Sequence, residues 1–374
     1  MTAPWVRTPE ELAGVVRALE GCRAVGLDSE SDSLYHHFEK VCLVQVATDR
    51  GEAFLLDPLA LRDLAPLAPA LADPGLVKVL HGADYDVTTL KRDFAFSFAS
   101  IFDTMIAARL LGQSEIGLAA VARDELGVAL SKGNQKDDWS RRPLSPQQEA
   151  YALADVIHLV PLRERLEAKL RSAQRLEWLR EECAAVAGLE PAARRRDPEA
   201  YLDLKGARRL SPRALAALRE VVAWRERQAE ETDIPAFKIL GNESLMRLAE
   251  LRPRDVAGLA AVPGVLPRLR RQAGPLLAAL QRAEEVPDSE LPRVARSPRP
   301  AVPDVVRTRV ERLRAWRTAR AAELGVEASV VLPQRLIDRL AETCPRDEAE
   351  LGAVEGLRRW RADAFGAELL AAVS

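Results

Sequence analysis

The stretch VGLDSESDS, residues 25–33, opens as an apolar strand and ends in acidic residues. Its carboxylates Asp28 and Glu30 are two positions apart, so a strand would point both of them to the same face. Neighbouring carboxylates repel each other unless a cation lies between them. On these nine residues alone, a solvated strand end is the simpler interpretation. The alternative is half of a divalent-metal site, and it requires further carboxylates from a fold built around this strand.

Size and composition indicate an ordinary globular protein of several domains. The 374 residues are too many for one typical domain, and 48% hydrophobic and 29% charged residues are typical of a soluble chain. The net charge of −2 does not by itself predict a polyanionic partner. The four cysteines are far apart, which argues against a zinc site or a disulfide framework. Because neither a signal peptide nor a membrane-spanning run is recognisable, we expect a cytoplasmic protein.

The hydrophobic pattern of the first half predicts an α/β domain with a mixed sheet. Thr8-Pro9-Glu10-Glu11 is a typical helix start, with Thr8 as the N-cap. Strands are predicted at 24–28, 41–47, 53–56 and 77–81. Helices are predicted at 59–72, 84–92, 104–111, 116–126 and 146–171, and we expect no strand after about residue 84.

The second half is helical and is interrupted by two linkers rich in proline or arginine. Its two helical blocks form a weak repeat, because Trp224-Arg225 and Trp316-Arg317 lie in similar amphipathic helices. Two copies are too few for a solenoid, so a duplicated small helical domain is the better interpretation. We predict an α/β domain at 1–187, a linker at 188–200, a helical domain at 201–284, a Pro-rich linker at 285–304 and a second helical domain at 305–374.

Two further segments supply acids that could complete a metal site. HGADYDVTTL, residues 81–90, follows a predicted strand, and its Asp84 is well placed as a helix N-cap. Asp86 would then lie in the first turn and project back toward the sheet. His81 is a candidate ligand or substrate contact, although a hydrogen-bonded structural histidine is the simpler interpretation. Asp103 precedes a helix and is assigned a structural role as its N-cap.

Tyr151 and Asp155 lie one helical turn apart on an otherwise apolar face. A half-buried tyrosine beside a solvated acid is the common case, but this helix has to pack near a strand that already carries two acids. The four acids Asp28, Glu30, Asp86 and Asp155 would suit Mg²⁺ or Mn²⁺ rather than zinc. They could hold two ions about 3.5–4 Å apart for phosphodiester hydrolysis. Tyr151 would orient the attacking water and help to deprotonate it.

The order D-x-E, H-x-A-x-x-D and Y-x-x-x-D resembles the three motifs of the DEDDy 3′–5′ exonucleases, and its register selects Asp86 over Asp84. The strings KVLHGA (78–83), FDT (102–104) and DWSRRPL (138–144) are similar to those of the ribonuclease D family. The first helical block resembles an HRDC domain through WRE (224–226), DIP (233–235) and LGN (240–242). The other helical block resembles a divergent copy of it without the D-x-P string. The resemblance implies a ribonuclease H-like α/β exonuclease domain, a mixed sheet flanked by helices, followed by two small all-α HRDC-like domains.

The resemblance also implies a metal-dependent 3′–5′ exoribonuclease that trims structured RNA such as tRNA precursors and releases nucleoside 5′-monophosphates. In it, Asp28, Glu30, Asp86 and Asp155 bind two ions, Tyr151 completes the catalytic set, and Glu30 also contacts the terminal 3′-hydroxyl. Neither a membrane nor an obligate protein partner is expected. The alternatives are a DNA 3′–5′ exonuclease with the same site and a non-catalytic nucleic-acid-binding scaffold. Ser29 and Ser31 depart from the family pattern, and Ser31 removes bulk near the terminal nucleotide.

Candidate RNA contacts combine cations with an aromatic side chain. Lys132, Lys136, Arg141 and Arg142 flank Trp139 in one segment, a combination that suits phosphates and a stacked base. The alternative is a surface loop anchored by a core tryptophan. We name His81, Lys136, Trp139 and Arg141 as substrate-binding residues. The helical half offers basic clusters that bind RNA backbone or are solvated faces, namely Arg194, Arg195, Arg196, Lys205, Arg208, Arg209, Arg268, Arg270 and Arg271. Trp224, Trp316 and Trp360 are assigned to helical-domain cores.

Overall fold

The structure is a computed structural model that describes residues 3–131, 133–192, 197–265, 273–294 and 302–374. The chain forms two compact units, a first unit of 1–31, 41–192 and 299–374 and a second unit of 32–40 and 193–298. Several predicted cation contacts lie outside the described residues, namely Lys132, Arg194, Arg195, Arg196, Arg268, Arg270 and Arg271. Within the described ranges, no helix is both long enough and apolar enough to cross a membrane.

A mixed six-stranded sheet forms the centre of the first unit, as predicted. Its strands are β1 Trp5–Val6, β2 Ala24–Ser31, β3 Val41–Thr48, β4 Ala53–Leu56, β5 Val77–Leu80 and β6 Ile101–Asp103. The strand order is β1-β4-β3-β2-β5-β6. Strand β2 is antiparallel to β3 and parallel to β5, so the strand that carries Asp28 and Glu30 lies inside the sheet.

The predicted absence of strands after residue 84 is wrong, because β6 follows it. The strand has only three residues, too few for an alternating pattern to be visible in the sequence. Its extended conformation comes from pairing with β5, in which Lys78 is opposite Ile101 and Leu80 is opposite Asp103. Tertiary pairing therefore decides the conformation of this segment.

Nine helices are described in residues 3–192, the α/β part of the first unit: α1 Pro9–Leu19, α2 Pro58–Leu61, α3 Ala68–Ala72, α4 Asp84–Phe94, α5 Thr104–Leu110, α6 Leu118–Leu126, α7 Pro146–Ile157, α8 Leu159–Ser172 and α9 Leu176–Ala187. Thr8 caps α1 through a capping box with Glu11, in agreement with the predicted start. The predicted helix at 59–72 is broken into α2, a short 3₁₀ turn and α3. The predicted helix at 146–171 is two helices separated at His158.

Gly26 allows the end of α7 to approach strand β2 closely. A Cβ atom at this position would lie 2.7 Å from the Val156 carbonyl oxygen and 3.3 Å from the Leu159 side chain. Any larger residue would therefore push the helix away from the strand. The glycine in VGLD, two residues before Asp28, brings the helix that carries Asp155 against the strand that carries Asp28.

The two helical domains repeat the same succession of helices. The first, in the second unit, has α10 Pro212–Thr232, α11 Ala236–Ile239, α12 Asn242–Leu251, α13 Val256–Ala260 and α14 Ala273–Glu285. The second, in the first unit, has α15 Asp304–Leu324, α16 Ala328–Val331, α17 Gln334–Thr343, α18 Glu348–Gly352 and α19 Arg359–Val373. Arg225 donates to the Leu240 carbonyl, and Arg317 donates in the same way to the Leu332 carbonyl.

The second helical domain packs on α9 of the α/β part, within the same unit. The Trp178 and Trp360 rings stack with centroids 4.3 Å apart. Arg361, 6% exposed, forms an ion pair with Glu182 at 2.6 Å. The Glu181 carboxylate accepts the backbone N–H groups of Arg359 and Trp360 at the start of α19. This domain therefore depends on the α/β part for several of its buried contacts.

Candidate active site

Three carboxylates from two elements meet at the end of strand β2. Asp28 and Glu30 lie on β2 and Asp155 lies on α7, and one oxygen of each is within 4.8 Å of the others. The side chains are partly exposed, so a ligand can reach them from solvent. Asp28 and Glu30 share a face of the strand with Gly26, the residue that α7 covers. The distance between facing oxygens suits a cation held between them.

Asp86 lies beside this group, in the first turn of α4, and is 7% exposed. The Ser29 hydroxyl donates to Asp86 Oδ1 at 2.5 Å, which ties that carboxylate to strand β2. Asp86 is not one of the three mutually close acids, but its charge acts on both Asp28 and Glu30. We call Asp28, Glu30, Asp86 and Asp155 the carboxylate site.

The prediction that Asp84 is the N-cap of α4 is wrong. Asp84 is the first residue of the helix, and the preceding Ala83 has no side chain that could cap it. The loop before the helix is held by Asp103, which accepts the backbone N–H groups of Gly82 and Ala83 at 3.1 and 2.8 Å. A carboxylate from β6, distant in sequence, therefore takes the place of a local cap.

Desolvation raises the pKa of every acid in the carboxylate site, and repulsion from the other site acids raises it further at Asp28 and Glu30. The pKa of Asp28 lies well above its ordinary value, because the protein desolvates it and the other three acids surround it. Desolvation, followed by Asp155 and Asp86, raises the pKa of Glu30 to about 9. Desolvation also raises the pKa of Asp86 to about 7 and that of Asp155 to about 6. Each charged neighbour that acts on Asp28 or Glu30 is another carboxylate, so a divalent cation would supply the missing positive charge.

Tyr151 lies one turn before Asp155 on α7, and its hydroxyl hydrogen-bonds the Asp155 carboxylate. Desolvation, then the charges of Asp155 and Glu30, raise the pKa of Tyr151 above its ordinary value. The hydroxyl therefore keeps its proton at neutral pH and acts as a hydrogen-bond donor.

The structure supports the structural assignments of Asp103 and His81. Asp103 is 1% exposed and caps α5, as predicted, by accepting the N–H groups of Met105 and Ile106. His81 Nδ1 lies 2.8 Å from the Thr104 hydroxyl. Its Nε2 is buried and has no hydrogen-bond partner among the described residues, and desolvation lowers the pKa of the ring. His81 is thus half-buried and hydrogen-bonded, in line with the simpler of its two interpretations, and its role as a substrate contact stays a prediction.

Trp139 and Arg142 are not placed to bind RNA in the way that the sequence suggested. Trp139 is 1% exposed and packs beside Tyr151, with ring centroids 6.1 Å apart. A ring so deeply buried cannot stack on a base, so the anchoring alternative is the one that the structure supports. The Arg142 guanidinium binds both carboxylate oxygens of Asp57 and the Cys42 carbonyl. Through these contacts Arg142 holds its segment in place, and its guanidinium is occupied inside the protein instead of being presented to RNA.

Lys136 and Arg141 are exposed in the same segment and stay candidate RNA contacts. Arg141 forms an ion pair with Asp138 at 3.0 Å. The acid Asp137, which was not predicted from the sequence, raises the pKa of Glu30 and so lies near the carboxylate site. Asp137 stands next to Lys136 in the sequence, but no strand or helix pattern indicated that this loop lies near the carboxylate site. The segment is therefore close enough to the site to contact a substrate there.

Ser31, where bulk is missing from the family pattern, has a partner on α4. Its hydroxyl lies 2.7 Å from the Tyr85 hydroxyl, and Tyr85 is 44% exposed. Strand β2 also has an irregular register between Glu30 and Ser31. An aromatic ring from α4 thus lies next to the position where the strand lacks a bulky side chain.

Comparison with protein families covers all three domains. Residues 3–171 match the family described as 3′-5′ exonuclease. Residues 214–280 and 307–373 both match the HRDC domain family. The second block, which lacks the D-x-P string, is therefore an HRDC domain as well.

Relatives and solved structures match over most of the chain. Ribonuclease D of Pseudomonas paraeruginosa is 35% identical, over 100% of this chain and 99% of that protein. Ribonuclease D of Gluconacetobacter diazotrophicus is 34% identical, over 98% of this chain and 91% of that protein. The catalytic core of RRP6 from Trypanosoma brucei is 28% identical with a TM-score of 0.68, over 76% of this chain and 80% of that one.

The structure of Escherichia coli RNase D, described as an exoribonuclease involved in structured RNA processing, shares the fold. Its TM-score is 0.71 at 24% identity, over 100% of this chain and 99% of that one. The matched ranges include the strand and helices that carry the carboxylate site. The chain therefore belongs to the ribonuclease D family and is a 3′–5′ exoribonuclease.

Proposed function

We propose that this exoribonuclease trims the 3′ ends of structured RNA such as tRNA precursors, using two divalent ions, Mg²⁺ or Mn²⁺, and releasing nucleoside 5′-monophosphates. The observation that carries the proposal is the group of three carboxylates with ligand oxygens within 4.8 Å of one another. Asp86 adds a fourth acid beside them. The donor set fits hard divalent cations, because every side chain offers carboxylate oxygens.

The chain's own residues would hold the RNA end and the attacking water. The bound ions would supply the positive charge that stabilises the attacking and leaving oxygens of the phosphodiester. A positioning role for Tyr151 is supported by its protonated hydroxyl, which is available as a donor beside Asp155. Glu30 would also accept a hydrogen bond from the terminal 3′-hydroxyl, which would restrict hydrolysis to the chain end.

Exposed cations would bind the RNA backbone without reading its sequence. Lys136 and Arg141 are candidates because their loop includes Asp137, which acts on Glu30. In the second unit, Lys205, Arg208 and Arg209 are exposed and would add phosphate contacts. Binding of this kind weakens steeply with salt. The four cysteines are free thiols, which supports a reducing compartment such as the cytoplasm.

A 5′-labelled tRNA precursor with a 3′ tail tests the proposal. With Mg²⁺ or Mn²⁺ we expect a ladder that shortens from the 3′ end and stops near the mature terminus, with mononucleotides as the second product. EDTA should abolish the ladder, and either ion should restore it. Unchanged hydrolysis in excess chelator would contradict the metal mechanism.

A DNA copy of the same tailed molecule is the matched control substrate. We expect slower loss of the DNA, because the relatives are ribonucleases. A ladder that runs through the folded RNA without a pause would argue against trimming of structured precursors. Internal fragments would argue against attack from the end.

A further inference from the structure

Gln45 is a buried amide with unmet hydrogen-bonding capacity. It lies on β3, a strand buried along its whole length, and is 0% exposed. Neither its amide nitrogen nor its amide oxygen has a hydrogen-bond partner among the described residues. Polar groups buried in folded proteins nearly always have partners. A buried amide with both ends unpaired therefore calls for an explanation.

The register of the sheet places this amide next to the carboxylate site. Gln45 is directly opposite Asp28 in the antiparallel pair of β2 and β3. Side chains paired in this way share a face, with Cβ atoms about 4.5–5.5 Å apart. On the other side, Gln45 is paired with Leu55 of β4, which offers no polar side-chain atom. The Asp28 carboxylate is thus a hydrogen-bond acceptor on the same face as the Gln45 amide.

We propose that Gln45 is a positioning residue for Asp28, donating an amide N–H to the Asp28 carboxylate when the carboxylate site holds its cation. The inference rests on the proposed metal binding. Carboxylates that bind metals are usually held in turn by hydrogen bonds from the surrounding protein, which fix their orientation. Because the two backbones are locked by the sheet, only side-chain rotation is needed.

Replacing the amide with an apolar group separates this role from simple packing. We would measure Mn²⁺ affinity by calorimetry on the metal-free full chain, for wild type, Gln45→Leu and Gln45→Met. Both variants should bind Mn²⁺ roughly tenfold more weakly, the size of effect seen when a ligand loses its supporting hydrogen bond. Their metal-free melting temperatures should be unchanged or roughly 2–4 °C higher, since two unpaired polar groups are removed. At saturating Mn²⁺, RNA hydrolysis should return toward the wild-type rate.

Thr48→Val is the matched control on the same strand. Thr48 is buried, but its hydroxyl oxygen accepts the backbone N–H groups of Arg50 and Glu52. It is paired with Val25, away from the acids. Removing this satisfied group should lower the melting temperature and leave Mn²⁺ affinity unchanged. The two substitutions therefore have opposite expected effects on stability and on metal binding.

The outcomes separate this inference from the proposed function. If both Gln45 variants bind Mn²⁺ within twofold of wild type, Gln45 does not position Asp28 and the inference is overturned, while the metal site stands. If wild type itself binds no Mn²⁺, the proposed metal site is wrong and the inference falls with it. Weaker binding in the Gln45 variants with normal binding in Thr48→Val supports the positioning role.

Discussion

Two groups of buried acids in the first unit differ in the partners that the fold gives them. The carboxylate site brings acids together; desolvation raises the pKa of all four, and the neighbouring site acids add to this at Asp28 and Glu30. Asp103, which is more deeply buried than Asp28, Glu30 and Asp155, accepts backbone N–H groups from Gly82 and Ala83 and from the first turn of α5. The pKa of Glu182 is lowered, because the charge and hydrogen bonds of Arg361 and Trp360 outweigh desolvation.

The difference distinguishes acids that stabilise the fold from acids that perform chemistry. A buried carboxylate with donors around it contributes to stability, and its removal leaves those donors unpaired. A buried carboxylate facing other carboxylates opposes folding unless a cation binds. Such unfavourable arrangements persist at functional sites, where the cost is part of the function. Substitutions in the two groups should therefore have opposite effects on stability and on turnover.

The largest expected effect is the loss of turnover in Asp155→Asn. The variant should hydrolyse RNA at least ~10³-fold more slowly, since several kcal/mol of charge stabilisation depend on the carboxylate set. The metal-free chain should be as stable as wild type or more stable, because one repelling acid is gone. Single-turnover hydrolysis and thermal melting measure the two quantities.

RNA binding is the control for Asp155→Asn. The variant should still bind a 3′-tailed RNA, because the exposed cations that would contact phosphates are unchanged. A variant that retained near-normal turnover would contradict the assignment of Asp155 to the catalytic set. Normal biological function without turnover would instead favour the scaffold alternative.

The next largest effect is expected for Asp103→Ala, on stability. Four backbone N–H groups lose their acceptor, so the free energy of unfolding should fall by roughly 2–4 kcal/mol. Urea denaturation followed by circular dichroism measures the change. Turnover per folded molecule should fall less than in Asp155→Asn. Wild-type stability in this variant would contradict the structural role of Asp103.

A smaller effect is expected for Glu182→Gln, which removes the charge paired with Arg361. Because the pair is only partly shielded from solvent, with Glu182 22% and Arg361 7% exposed, we expect a loss of about 1–2 kcal/mol. RNA hydrolysis at low temperature should be unchanged. A reduced turnover without any loss of stability would show that this acid also takes part in the reaction.

The acids of β2 and α7 could be predicted from the sequence because their spacing fixes their direction. Asp28 and Glu30 are two positions apart at the end of an apolar strand, and Tyr151 and Asp155 are separated by one helical turn. Asp86 was selected by the family motif, while local spacing alone left Asp84 open. The direction of each of these side chains follows from regular strand or helix geometry, which can be inferred from the spacing of residues in the sequence.

Loop residues and long-range contacts could not be predicted in this way. A tryptophan among cations has the same sequence whether it faces RNA or the core, and only the fold shows that Trp139 is buried. Arg142 binds Asp57, 85 residues away. The break at His158 has a local signal, because Pro161 is tolerated in the first turn of α8 but would break a continuous helix. Gln45 has the sequence context of an ordinary strand residue, and only the register of β3 pairs it with Asp28.

The two HRDC domains show that one fold can belong to different units of the chain. Their helices match one for one, which the repeat of Trp-Arg predicted. The contacts of the second copy with α9 were not predictable, because Trp360 and Arg361 could equally have been an ordinary core pair. The domain bounds themselves stay predictions.

The most direct test measures thermal stability against pH, with and without Mn²⁺. The folded pKa values of Glu30, Asp86 and Asp155 are raised, so the folded chain binds more protons than the unfolded chain above about pH 4. Their contribution to metal-free stability should therefore decrease as the pH rises from 5.5 to 8.5. Mn²⁺ binds the ionised acids, so its stabilising effect should grow over the same range.

At one fixed concentration, a hundred times its dissociation constant at pH 8.5, Mn²⁺ should add about 2.7 kcal/mol to the stability of wild type at that pH. The increase should be much smaller in Asp155→Asn and close to wild type in Glu182→Gln. An increase that is absent, or that is the same at pH 5.5 and pH 8.5, would contradict the claim that these four acids form the divalent-metal site of the enzyme.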